Sequence, residues 1–228
     1  LSAPQALDAQ PFKSFALFKA SYGNIMDSDV RGGISGTVFF LSRKVAVTAY
    51  HVFNKETLKS HQNKGKTQLW LLNKTGGLIE LKNSEYTLNY FPEKDLTVIV
   101  FNKAVVGQEY VFQLDVNEVD VANVQFSRVQ NINSEGYRSN SSVQPSFAWS
   151  SEGLKIREIH SLPQENHNGA VELISKVSIS ATDVQLNNIR CLKLSYGSVV
   201  GMSGGPTLRD GKVIGLNSFG FPVGEQVK

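Results

Sequence analysis

Ser35-Gly36-Thr37-Val38-Phe39-Phe40-Leu41-Ser42-Arg43-Lys44-Val45-Ala46-Val47-Thr48-Ala49-Tyr50-His51-Val52-Phe53 holds two runs of apolar, aromatic and β-branched residues, 36–41 and 45–48. Two such runs with a short polar break read as a strand hairpin. His51 stands at its end, where a rigid scaffold holds an imidazole steady. Outward from this hairpin the same unit recurs at 15–18, 68–72, 78–81, 96–101 and 110–114, with Gly76-Gly77 as a turn. The second half repeats it at 124–129, 154–159, 170–180, 189–194 and, after Asp210-Gly211, at 213–219. Long helical periodicity is absent, so the spacing predicts an antiparallel all-β sandwich or barrel. A chain of 228 residues has core enough for one large β domain or two small ones. The stretch 107–122, with its acidic segment Asp115 to Asp120, would carry the chain from one half to the other. The Ser- and Asn-rich 131–151 reads as a long surface loop with room for one short strand.

Composition narrows the function. With 41% hydrophobic and 19% charged residues, the chain is expected to fold rather than stay disordered. Its 23 basic and 20 acidic residues are spread along the chain, without the run of like charge that marks a nucleic-acid arm. No apolar stretch is long enough to span a bilayer. Leu1 reads as a mature or trimmed start, and a secreted or periplasmic setting is the expectation. Cys191, the single cysteine, can form no intrachain disulfide, and its place in the apolar run 189–194 predicts a buried, inert thiol.

The chemistry concentrates in Gly201-Met202-Ser203-Gly204-Gly205-Pro206. Background residue usage gives a string of this type a chance on the order of 10⁻⁴ in such a chain. Glycines around a serine allow turns that a β-carbon forbids, leaving the hydroxyl exposed and several N–H groups aimed at one spot. In acyl transfer that spot is an oxyanion hole, here built by the N–H groups of Gly201 and Ser203. A serine hydroxyl is nearly inert without a base beside it. Four histidines are available: His51, His61, His160 and His167. Only His51 lies at the end of a strand hairpin; the others sit in polar surroundings. The imidazole needs an acceptor on its second nitrogen, and Asp95, opening the run 95–101, is the candidate, since a carboxylate at the edge of a buried strand is partnered or costly.

Thr48-Ala49-Tyr50-His51 resembles the histidine motif of trypsin-like serine proteases, Asp95-Leu96-Thr97-Val98 their aspartate motif, and 201–206 their nucleophile motif. The order His, Asp, Ser is theirs too. The resemblance covers roughly 12–222 and is closest to disulfide-free bacterial members. It implies two antiparallel six-stranded β-barrels with the active site in the cleft between them: an N-terminal extension at 1–11, a first barrel at 12–110 carrying His51 and Asp95, a connection at 111–122, and a second barrel at 123–228 carrying Ser203. It implies a serine endopeptidase acting on protein or peptide substrates through an acyl-enzyme, with no metal or other cofactor, and a substrate pocket lined by Gly197, Ser198, Ser218, Phe219 and Gly220. Met202 departs from the family's activated digestive members, which place there an aspartate that pairs with a freed N-terminus. Gly197, close to where trypsins carry an acidic residue, argues against an Arg/Lys preference. Asn217 argues against a glutamate preference that relies on a histidine at that place. With eight residues after Gly220, a shallow pocket or a shortened chain is expected. The alternative is a binding or regulatory module on the same scaffold. An α/β-hydrolase esterase would need a histidine after the serine, and none follows Ser203.

Overall fold

The structure is a computed structural model, and it describes residues 11–22, 30–62, 67–115, 132–139, 146–151, 153–159, 161–181 and 184–218. Strands β1 (Phe15–Ser21) and β2 (Arg31–Ser42) run antiparallel, and β2 turns through Arg43-Lys44 into β3 (Val45–Thr48) with Phe39 opposite Val47. A short helix α1 (Lys55–Gln62) follows; the Asn54 side chain caps it by accepting the N–H groups of Glu56 and Thr57, both at 3.1 Å. Then come β4 (Thr67–Asn73), β5 (Gly77–Glu80), β6 (Tyr86–Phe91) and β7 (Leu96–Phe101). All seven join one antiparallel sheet in the order β5-β4-β1-β2-β3-β7-β6.

The continuous apolar runs in this sheet have a simple cause. Successive side chains on a strand point to opposite faces, and here both faces are covered. Phe15 and Leu17 of β1 and Leu69 and Leu71 of β4 enter one core with Val38, Phe40, Ile99 and Phe101. Their neighbours Ala16, Phe18, Trp70 and Leu72 enter a second core.

The second half is built from smaller sheets. Strands β8 (Ile132–Tyr137), β9 (Ser146–Ser150), β10 (Gly153–Glu158), β11 (Gln164–Gly169), β12 (Val171–Ala181), β13 (Val184–Leu194), β14 (Pro206–Arg209) and β15 (Lys212–Leu216) pair as β11-β8-β14-β15, β10-β9 and β12-β13. The β14–β15 hairpin turns at Asp210-Gly211, both at positive φ (49° and 75°), as a tight hairpin turn requires. Phe147, Trp149, Leu154 and Ile156 of the β9–β10 hairpin cover the second face of the large sheet.

The all-β, antiparallel class therefore stands. The strand count in the first half is seven rather than six, and among the described residues no barrel closes. The segment 131–151, read as a loop, contains β8 and β9. The strand expected at 110–114 is instead a single-turn helix at Gln108–Tyr110 followed by lone bridges, because its backbone bonds are divided between the two halves. Phe112 N–H donates to Phe40 O (2.8 Å), while Asp115 N–H donates to Val213 O (2.9 Å). The strand expected at 124–129, residues 1–10 of the extension 1–11 and most of the connection 111–122 lie outside the described residues. Cys191 is half-buried on β13 rather than enclosed, and burial pushes its thiol above the ordinary range.

Candidate active site

The pairing of β3 with β7 sets Thr48 opposite Thr97. Three residues past Thr48, and two before Thr97, the chain carries His51 and Asp95. The turn after β3 is closed by Val52 N–H and Phe53 N–H donating to Ala49 O (3.1 and 3.2 Å), and is tied to β7 by Tyr50 N–H donating to Asp95 O (3.1 Å) and by Thr97 Oγ1 donating to Phe53 O (2.8 Å). Asp95 takes the left-handed conformation (φ 50°, ψ 45°), its N–H bonded to Pro92 O at 3.1 Å. Aspartate is among the few non-glycine residues that tolerate this region, and here it turns the carboxylate back over the 49–53 turn.

That carboxylate is wholly buried. Oδ1 accepts the backbone N–H of His51 at 3.0 Å, Oδ2 lies 2.8 Å from His51 Nδ1, and Ser218 Oγ donates to Oδ2. A buried carboxylate beside Nδ1 fixes the proton there and leaves Nε2 as the basic nitrogen. The His51 side chain keeps 25% of its surface exposed, so the ring reaches the outside while its anchor does not.

Ser203 arrives from the other half. Gly201 and Gly204 both adopt positive φ (102° and 85°), which only glycine takes freely. The turn is clamped to the large sheet by one residue that the sequence did not single out, the fully buried Thr37. Its N–H donates to Ser203 O (2.8 Å) and its hydroxyl to Gly201 O (2.8 Å), while its own carbonyl accepts Thr48 Oγ1 (2.7 Å). Thr48 begins the segment that leads to His51, so a single threonine links the serine turn to the histidine turn. Within the serine turn, the N–H groups of Met202, Gly204 and Gly205 are taken by Val199 O, Asn217 O and Met202 O. Among the described residues no such bond occupies the N–H groups of Gly201 and Ser203, the pair expected to face an oxyanion.

Ser218, expected to line a pocket, joins the other residues more closely than that. Its hydroxyl donates to Asp95, and its carbonyl accepts Ser203 Oγ at 3.5 Å, so it bridges the carboxylate and the serine. The resemblance places it in the substrate pocket, and nothing in the sequence points to its bond with Asp95. Met202 is buried against Gly136, where a β-carbon would lie 2.9 Å from Met202 Cα. Gly197 and Ser198 are exposed on the segment leading into the serine turn. Phe219 and Gly220 lie outside the described residues. His61 falls in α1 and His167 on β11, while His160 lies outside the described residues. No group of three or more His, Cys, Asp or Glu side chains suited to a metal occurs among the described residues, and no helix there is long and apolar enough to cross a membrane.

No protein-family model matches the chain, and no curated protein sequence matches it. Solved structures do. The chain is similar to Deg5 at 14% identity and a TM-score of 0.48, over 91% of this chain and 79% of that one. It is similar to the serine endoprotease from Yersinia pestis at 14% identity and a TM-score of 0.44, over 90% of this chain but only 54% of the other, about half its length. It is also similar to the NS6 protease from murine norovirus 1 at 18% identity and a TM-score of 0.40, over 80% of this chain and 77% of that one. By their titles the second of these is a serine endoprotease and the third a protease.

Proposed function

We propose that the chain is a serine endopeptidase, with 12–110 contributing the base and its orienting carboxylate and 123–228 the nucleophile. The observation that carries this reading is the wholly buried Asp95 carboxylate, held against His51 Nδ1 at 2.8 Å and joined through Ser218 to the Ser203 hydroxyl. A buried carboxylate is costly unless partnered, and these partners are the ones that prepare a serine for attack.

In the reaction, Ser203 Oγ attacks the scissile carbonyl carbon as His51 Nε2 takes its proton. The N–H groups of Gly201 and Ser203 stabilise the developing oxyanion, a contribution of about 3 kcal/mol per donor in comparable sites. Asp95 stays ionised and stabilises the imidazolium. Collapse of the tetrahedral intermediate breaks the C–N bond as His51 gives the proton to the leaving amine. Water, deprotonated by the same imidazole, then hydrolyses the acyl-enzyme and restores Ser203. Every proton transfer is handled by His51, so the step needs no further cofactor.

The test is labelling with an alkyl fluorophosphonate, which reacts with an activated serine and needs no knowledge of the substrate. The protein should label, and Ser203→Ala and His51→Ala should not. A folded wild-type protein that stays unlabelled would overturn the reading in favour of a binding module on this scaffold.

A further inference from the structure

The segment 195–200 that leads into the serine turn is tied down almost residue by residue. Ser195 N–H donates to Ala170 O (2.9 Å) and its Oγ accepts Ala170 N–H (2.8 Å); Tyr196 OH meets Ser134 Oγ (2.8 Å); Val200 O accepts Ser139 N–H (2.7 Å). Between these ties, at the exposed Gly197, the holder is a titratable side chain. His167 on β11 places Nδ1 2.7 Å from Gly197 O and Nε2 2.8 Å from Glu165 Oε2, and Arg138 Nε donates to the other oxygen of Glu165 at 2.7 Å.

Both ring nitrogens of His167 thus face oxygens that carry no proton at neutral pH, a carbonyl and a carboxylate. A neutral imidazole has one N–H and serves only one of them; the imidazolium serves both. We infer that His167 is a positioning residue that, as an imidazolium, clasps the Gly197 carbonyl and so holds the segment leading to Ser203, releasing it when the ring loses its proton. The inference rests on the serine-protease reading for its consequence, substrate binding beside Ser203, but not for the clasp itself.

The charged groups facing His167 are Glu165, on its own strand, and Arg138, following β8; segment 195–200 contributes an uncharged carbonyl. The hydrogen bond to Glu165 is the largest influence and raises the affinity of His167 for its proton; partial burial opposes it, the Gly197 bond adds to it, and Arg138 opposes it weakly. Glu165 is correspondingly held below the ordinary carboxylate range, first by Arg138 and then by His167. A histidine raised above its usual 6.5 contributes fully below that pH, and the contribution is lost as pH rises through the higher folded value. The clasp is therefore closed in mildly acidic solution and opens on the alkaline side.

The experiment needs no substrate for its decisive arms. Nitrogen-15 NMR of the histidine side chains should find both His167 nitrogens protonated at pH 6.5, with the titration midpoint lower in Glu165→Gln. Amide hydrogen exchange of residues 197–199 should be about fivefold faster in His167→Gln than in wild type at pH 6, and equal in the two at pH 9. The apparent KM for fluorescein-labelled casein should rise across the same interval in wild type and stay level in His167→Gln. A neutral His167 at pH 6.5, an exchange ratio independent of pH, or a KM that climbs alike in both proteins would overturn the inference. Fluorophosphonate labelling reads the other claim: unlabelled wild type with a doubly protonated His167 overturns the protease reading and leaves the clasp, and labelled wild type with a neutral His167 does the reverse.

Discussion

The two halves of the molecule hold their share of the site by different means. In the large sheet, strand register does the work: Thr48 opposite Thr97 fixes where His51 and Asp95 emerge, and the first core locks β3 and β7 through Ala46, Ile99 and Phe101, while Val47 packs with Leu208 and Val213 in a third. In the second half, Ser203 rides a turn of glycines between small sheets, and its placement comes from hydrogen bonds that reach across to Thr37. His51 is positioned by packing and Ser203 by polar contacts. Packing tolerates small losses of polarity but not of volume, whereas a hydrogen-bonded turn tolerates neither a wrong dihedral nor an added atom.

The largest break of this comparison is expected where the packed side carries its one buried charge. Asp95→Asn keeps the shape of the side chain but removes the charge that stabilises the imidazolium and lets the ring adopt the wrong tautomer. The fluorophosphonate labelling rate should fall about a thousandfold to ten-thousandfold, as when the orienting aspartate of such a triad is neutralised, while the thermal midpoint moves far less. A loss under tenfold would mean that Asp95 is structural alone.

Volume is the next lever. Ile99, wholly buried on β7 in the first core, should cost about 4 kcal/mol when cut to alanine, whereas Val177, on the two-stranded β12–β13 ribbon, should cost about 1 kcal/mol. Chemical denaturation of the two variants checks the contrast, and equal losses would erase the distinction between a packed half and a hydrogen-bonded one. On the hydrogen-bonded side, Gly204→Ala is the counterpart. A β-carbon there would lie 2.2 Å from Thr48 Oγ1 and 2.3 Å from Thr37 O, at a φ of +85°. Strain and displacement together should cost about 3 kcal/mol and abolish labelling, because the atoms that would have to move join the serine turn to the histidine turn.

The same division explains what could be read from the sequence. Strands β3 and β7 emerge at 45–48 and 96–101 as expected, and β1, β2 and β4 fall where apolar runs mark them, because strands covered on both faces read as unbroken hydrophobic stretches. Of the residues singled out by their context, the structure brings His51 and Asp95 into contact at 2.8 Å. Strands β6, β8 and β11 were not legible. Ile132–Tyr137 reads INSEGY, and its polar residues Ser134 and Glu135 are nonetheless buried, because hydrogen bonds satisfy them. Gln164–Gly169 pairs with β8 although its residues, QENHNG, show no apolar alternation. Thr37, and the bond that Ser218 makes to Asp95, escaped for a related reason. Their importance lies in partners more than 100 residues away along the chain, Gly201 for Thr37 and Asp95 for Ser218, and no local pattern announces such a bond.

Glu135 offers the finest test, since it is a buried charge on the hydrogen-bonded half that reaches into the packed one. Its Oε2 accepts the N–H groups of Lys13 and Ser14 and the Ser14 hydroxyl, at 3.2, 3.3 and 2.9 Å, joining β8 to the start of β1. Burial pushes its carboxyl above the usual value, and the bonds from Ser14 and Lys13 only partly offset that. A carboxyl raised in the folded state binds its proton more tightly there than in the unfolded chain. Its contribution to stability is therefore complete below the unfolded value near 4.5 and is lost as pH rises through the folded one. On this basis wild type should gain stability relative to Glu135→Gln as the solution is taken from pH 7.5 down to 4.5, measured by urea midpoints at each pH. A difference that stays flat, or that grows in favour of the variant at low pH, would mean that the three donors outweigh burial and that the charge is an asset to the contact between the halves.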